Sequence, residues 1–140
     1  MYRRGFSKLL LSLTVFAVFG CSSGSSLDRA ALTGTVTFDG KPLDRGMIGL
    51  LPTGDTRGPQ GSAAIKSDGT YEVQTAGKPG TVIGTHKVVV QCRETISQQE
   101  ARDMKVGRSL IPAKYTSYDT TPLTVEVTPG ENVFDIKLEK

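Results

Sequence analysis

From residue 31 onward, turn signals cut the chain into short β-branched runs: Asp39-Gly40, Pro52, Asp68-Gly69, Pro79-Gly80 and Pro129-Gly130. Glycine adopts positive φ at little cost, so an Asp-Gly pair closes a tight turn between two extended segments. The runs alternate. Over 32–38, Leu32, Gly34, Val36 and Phe38 share one face, and Thr33, Thr35 and Thr37 the other. A second strand covers "RGMIGLLP" and stops at Pro52, and 53–61 is a loop. A hairpin is expected next, with a strand to Lys66, a turn at Asp68-Gly69 and a strand over 70–75 that places Tyr71 and Val73 on one face. After a loop holding at most a short strand, "HKVVVQC" directs His86, Val88, Val90 and Cys92 one way and Lys87, Val89 and Gln91 the other. A last hairpin turns at Pro129-Gly130, with Leu123, Val125 and Val127 inward and 133–138 as its second strand. About seven strands of this length imply an all-β, antiparallel sandwich.

One stretch breaks the pattern. In "ETISQQEARDMKVG", Ser97 and Glu100 have capping-box spacing, and Ile96 and Ala101 have that of a hydrophobic staple. A short inserted helix is expected over 97–106, ended by Gly107. It is a candidate partner-facing element, or a cover for a sheet edge. The loop "IPAKYTSYDTTP" that follows is limited by Pro112 and Pro122.

The first 26 residues have another character. Arg3, Arg4 and Lys8 precede an uncharged apolar run over 9–19. That is signal-peptide length and short of the roughly 20 residues a spanning helix needs. The run ends in Val18-Phe19-Gly20-Cys21, which resembles the lipobox of bacterial lipoproteins, although Phe19 is bulkier than the pattern prefers. The resemblance implies a diacylglycerol on the Cys21 thiol and cleavage before it. Several acyl chains on one residue anchor stably where one would not. Residues 1–20 are thus expected to be a signal peptide, 21–30 a flexible tether and 31–140 one sandwich domain. The resemblance also implies a cell-envelope protein held to a membrane by its N-terminal lipid. Ser22, where aspartate would signal inner-membrane retention, points to the outer membrane.

Three of the 17 basic residues lie in the first 20 positions, so the remainder balances the 14 acidic residues. No clustered basic face suggests nucleic acid as a partner. If Cys21 is acylated, Cys92 is a lone thiol, expected as a small buried hydrophobe. If it is not, a Cys21–Cys92 bridge is the alternative.

The succession "LTGTVTFDGKPLDRGMIGLLP", "SDGTYEV" and "GTHKVVV" resembles the carboxypeptidase regulatory-like module, a transthyretin-like sandwich. Gly34, Val36, Asp39, Gly40, Pro42 and Leu43 match its first part, and Asp68, Gly69 and Tyr71 its second. His86 stands where tyrosine is usual. The resemblance implies architecture and a non-catalytic accessory role; fold alone does not give function.

Candidates for chemistry are few. His86 is the only histidine, and no G-x-S-x-G elbow accompanies it. Zinc needs three or four ligands, and no calcium-loop spacing occurs, so no metal or cofactor is expected. Tyr115 and Tyr118, with Lys114 beside them, are candidate binding residues that would stack on a sugar or a peptide if both are exposed. The competing reading packs "IPAKY" on the sandwich edge. The chain is therefore expected to be a non-catalytic structural or interaction protein of the envelope. A carbohydrate- or peptide-binding module is the alternative, and a hydrolase built on His86 the third.

Overall fold

A ten-residue strand, β1 (Arg29–Phe38), organises one of the two sheets in the computed structural model, which describes residues 27–140. The expected signal peptide, Cys21 and most of the tether lie outside the described residues. β1 begins three residues before Leu32 because Arg29 and Ala30 pair with Val82 and Thr81.

After β1 the chain forms β2 (Lys41–Pro42), β3 (Met47–Pro52), β4 (Gly61–Ala64), β5 (Thr70–Glu72), β6 (Gln74–Thr75), β7 (Lys78–Pro79), β8 (Thr81–Val82) and β9 (Gly84–Gln91). There follow a helix α1 (Gln98–Arg102), a 3-10 turn at Ala113–Tyr115, β10 (Thr124–Val127), β11 (Glu131–Val133) and β12 (Ile136–Leu138). One edge of β1 takes β8, β5 and β2 in antiparallel succession, and the other takes β11 and β12. The second sheet runs β10-β9-β3-β4-β6-β7 and is antiparallel throughout. The protein is an all-β sandwich with one short helix. All seven expected strands are present, two of them split (β5/β6 and β11/β12), and the wholly added ones, β2, β7 and β8, are two-residue segments.

The Asp39-Gly40 turn has the mirror-image geometry that a two-residue hairpin loop requires, with φ of 48° and 79°. It joins β1 to β2 through the Phe38–Lys41 pair. The alternation holds: Leu32 and Val36 are buried in β1, and His86, Val88, Val90 and Cys92 in and after β9. They meet Ile48, Leu50, Tyr71, Val73, Ile136 and Leu138 in one core between the sheets.

Two expected hairpins are not hairpins. Lys66 donates its amide to Thr70 O (2.9 Å), so the Asp68-Gly69 turn closes, but the strand after it crosses between the sheets. β5 pairs with β1 and β6 with β4. The final segment departs further: β10 pairs with β9, whereas β11 and β12 lie parallel to β1. Asn132 drives this crossing. Its Oδ1 accepts from Thr128 N (3.0 Å), and its Nδ2 donates to Thr128 O (2.8 Å) and Ala31 O (3.1 Å). A polar knot thus turns the chain out of the second sheet and seats it on β1.

The parallel seam is interrupted at Phe134 and Asp135. Phe134 donates its amide to Thr33 O (2.8 Å), and its carbonyl presses on Gly34, where any Cβ would collide with it. Tyr71 donates its hydroxyl to the same carbonyl. Asp135 then accepts from Thr35 N and Oγ1. Gly34 therefore marks a close backbone approach.

The inserted helix is shorter than expected. Ser97 and Glu100 form the full capping box, but only 98–102 are helical and none of them is buried. Ile96 is half-buried and Ala101 exposed, so no staple covers the helix. The helix ends at Asp103, followed by Met104 at φ 55°, three residues before Gly107. Gly107 instead lies flat against Glu94, where a Cβ would strike its carbonyl. That contact lets the two ends zip together through Glu94 N to Arg108 O and Leu110 N to Cys92 O, both 2.9 Å.

Candidate functional site

The 3-10 turn and the residues after it send the two candidate tyrosines to different places. Tyr115 is 5% exposed and belongs to the core, its hydroxyl accepting from Glu139 N at 3.2 Å. "IPAKY" therefore plugs the sandwich end, with Ile111 buried beside it. The exposed Lys114 holds its ammonium 5.0 Å from the Tyr115 ring centroid, within cation–π range. Tyr118 is half-buried on the outer face of the second sheet. Lys87 Nζ donates to its carbonyl (2.9 Å), and its phenol lies over Gly49, where a Cβ would come within 2.5 Å of the hydroxyl. Burial pushes the Tyr118 phenol pKa up. The two tyrosines are not exposed together, and the packing of "IPAKY" is the reading the structure agrees with.

Tyr118 instead borders a feature that strand spacing hides. Residues of the second sheet that point away from the core line up across strands. Val89 pairs with Gly49, Gly49 with Ser62, and Ser62 with Gln74. Beside that row, Gln91 pairs with Met47 and Met47 with Ala64. Two shallow hollows follow these rows. One, of about 410 Å3, is lined by Tyr118, Gly49, Gln60, Val89, Gln91 and Met47. The other, of about 340 Å3, is lined by Met47, Ser62, Ala64, Gln74, Glu72 and Lys66. Met47, half exposed, borders both. The signal in the sequence was Gly49, an outward glycine inside a strand; such a residue marks a close approach.

Among the described residues the one histidine and the one cysteine are both buried. His86 is 0% exposed, and its Nε2 lies 2.7 Å from Val82 O. A carbonyl only accepts, so Nε2 carries the hydrogen, and Nδ1 has no protein partner. Solvent cannot reach this imidazole, which removes the base a hydrolase would need there. Thr75 and Thr81 hydroxyls are likewise buried without partners, and both face Gly61. Cys92 is buried as the sequence suggests, and burial raises its thiol pKa, with Asp44 adding to the effect. Among the described residues no three His, Cys, Asp or Glu side chains gather as a metal site.

Among the described residues, fold and surface together define an all-β sandwich with a sealed core, two hollows on the outer face of the second sheet, and a third of about 650 Å3 at Thr37, Asp39, Gly40, Lys137 and Glu139. No protein-family model matches the chain, no curated protein matches it, and no solved structure matches it.

Proposed function

We propose that this chain is a lipid-anchored protein of the cell envelope that acts by binding, without catalysis, as a carboxypeptidase regulatory-like module. The observation carrying this reading is the polarity of the fold. The chain enters at Arg29, paired with Val82 just before β9 begins, and the 93–110 extension leaves where β9 ends. Eight strand residues separate those points, roughly 23 Å at the rise of a β-strand. An anchor on Cys21 would hold the entry pole at the membrane and leave the extension at the far pole. There Met104 and Val106 are 90% and 71% exposed. The Asp39-Gly40 and Asp68-Gly69 turns and the inward Tyr71 support the family reading, since each carries its part of the resemblance.

The test is the intact mass of the N-terminal peptide from native membranes, with fractionation of a Cys21→Ala variant. A diacylglycerol on Cys21 and removal of residues 1–20 are expected, and the variant should carry no acyl mass, being either released to the soluble fraction or held by its uncleaved apolar run. An unmodified Cys21 would overturn the anchor.

A second reading, a carbohydrate- or peptide-binding module, is favoured by the hollowed face beside Tyr118.

A further inference from the structure

We infer that the outer face of the second sheet binds an uncharged oligosaccharide chain lying across β9, β3, β4 and β6. This rests on the binding reading above and is independent of the lipid anchor.

Three observations converge. The first is the chemistry of the lining. Gln60, Gln74 and Gln91 are exposed and offer primary amides, and Ser62 a hydroxyl. Each such group both donates and accepts, which matches the paired donor and acceptor character of sugar hydroxyls. Met47 and the Tyr118 ring supply apolar surface for the C–H faces of a pyranose. The second is charge. Lys66 and Glu72, of opposite sign, stand at one end, and the nearby Lys87 ammonium is held by Tyr118 O. The residues lining the two hollows therefore carry no net charge, since Lys66 and Glu72 offset each other; Lys87 keeps its charge but lines neither hollow.

The third is backbone supply, which separates sugar from peptide. An extended peptide docks on a sheet by adding to a free strand edge. β3 is already paired with both β4 and β9, and β9 with both β3 and β10. Along β3 and β9 the floor of the trough has no free ladder, so recognition there must come from side chains. Tyr118 covers Gly49 and Val89, so the open row is Gln91, Met47 and Ala64, with Ser62 and Gln74 beside it. It crosses β9, β3, β4 and β6, about 14 Å at normal strand spacing, enough for a few linked sugar units.

The experiment is an amide NMR titration of the full chain in detergent micelles, using neutral tetrasaccharides of β-1,4-linked glucose and of β-1,4-linked N-acetylglucosamine. Saturable shifts at Met47, Ser62, Ala64 and Gln74 are expected with at least one of them. Ser62→Arg, at an exposed position, fills the trough and should weaken binding about tenfold or more. Thr124→Arg, on the neighbouring β10, should leave affinity unchanged. The inference is overturned if neither sugar gives saturable shifts by about 10 mM, a very weak limit. It is also overturned if the shifts map elsewhere or survive Ser62→Arg, or if only a neutral Gly/Ser tetrapeptide binds. The mass at Cys21 reads the anchor separately, so failure of one does not mimic failure of the other.

Discussion

The extension between Cys92 and Leu110 and the junction around Gly34 are both held by backbone hydrogen bonds, yet the extension buries little beyond Gly107, whereas the junction is part of the core. In the extension the helix is solvent-facing on every side, and its flanking Arg108–Glu94 ion pair is exposed at 80% and 43%. Such a pair contributes little. At the junction Tyr71 is 2% exposed, and its hydroxyl, Gly34 and the Phe134 carbonyl lock β1 to β5 and to the C-terminal strand. Local hydrogen bonds give a segment its shape; burial couples that shape to the whole molecule. The junction is therefore expected to unfold with the body, and the extension to open by itself.

Gly34→Ala should separate the two regions most sharply. The new methyl would overlap the Phe134 carbonyl, which is backbone, with Tyr71 Cε1 at 3.0 Å on its other side. Relief requires parting β1 from the C-terminal strand. A loss of about 2–3 kcal/mol in urea unfolding is expected, in the range of overpacked cores. Gly107→Ala, which meets the Glu94 carbonyl in the extension, should loosen 93–109 with far less loss.

Tyr71→Phe comes next. It removes the donor to Phe134 O and should cost about 1–2 kcal/mol. It also has a pH signature. Burial first, and the Asp135 charge second, raise the Tyr71 phenol above its ordinary value near 10. In the unfolded chain the phenol ionises near 10 while the folded protein still holds the proton. Its stabilising contribution is thus intact below pH 10 and is lost progressively above it. Thermal melts from pH 9 to 11 should show the midpoint falling, less steeply in Tyr71→Phe. An unchanged slope would remove Tyr71 from the account.

How much of this was legible in the sequence follows the same division. Turn chemistry is local, so Asp39-Gly40, Asp68-Gly69 and the Ser97–Glu100 box could be placed from residue type and spacing. Alternation is local too, and it located His86, Val88, Val90 and Cys92 on the core face. Strand partners are not local. Nothing near Pro129-Gly130 announces that Asn132 will bond back to Ala31 O and commit the last strand to a parallel seam on β1. Whether the two candidate tyrosines are exposed together is not local either. Tyr115 and Tyr118 are three residues apart, but one turn of 3-10 backbone decides that the first fills the core and the second lies on a sheet face. Gln60, Ser62, Gln74 and Gln91 come from different strands and become neighbours only through register.

Asp135→Asn probes the junction from its surface and should have a smaller effect. Hydrogen bonds from Thr35, its hydroxyl foremost and then its amide, hold the Asp135 carboxyl below the ordinary 3.8. A depressed carboxyl stabilises the fold above its unfolded value and loses that contribution as pH falls through the folded value. The window therefore lies below about pH 4. Asp68, lowered by Thr70 in the same way, adds to it. In melts from pH 2 to 5 the double variant Asp68→Asn/Asp135→Asn should show a flatter acid limb than the native protein, starting from a somewhat lower midpoint at pH 7 and converging with the native midpoint near pH 2.

Ser97→Ala should have the smallest global effect and the clearest local one. The Ser97 hydroxyl accepts from Glu100 N at 3.2 Å, and Glu100 in turn accepts from Ser97 N. Losing such a cap costs a helix about 1 kcal/mol, a factor of about five in its opening equilibrium. Amide exchange should accelerate by about that factor at Ala101 and Asp103, whose N–H groups donate to Ser97 O and Gln99 O. Because no helix residue reaches the core, global stability should fall by less than about 0.5 kcal/mol. If the melting midpoint instead drops as far as in Tyr71→Phe, the extension unfolds with the sandwich. The two regions would then be one cooperative unit, tied through Glu94–Arg108, Cys92–Leu110 and the Arg45–Thr95 contact at 2.7 Å.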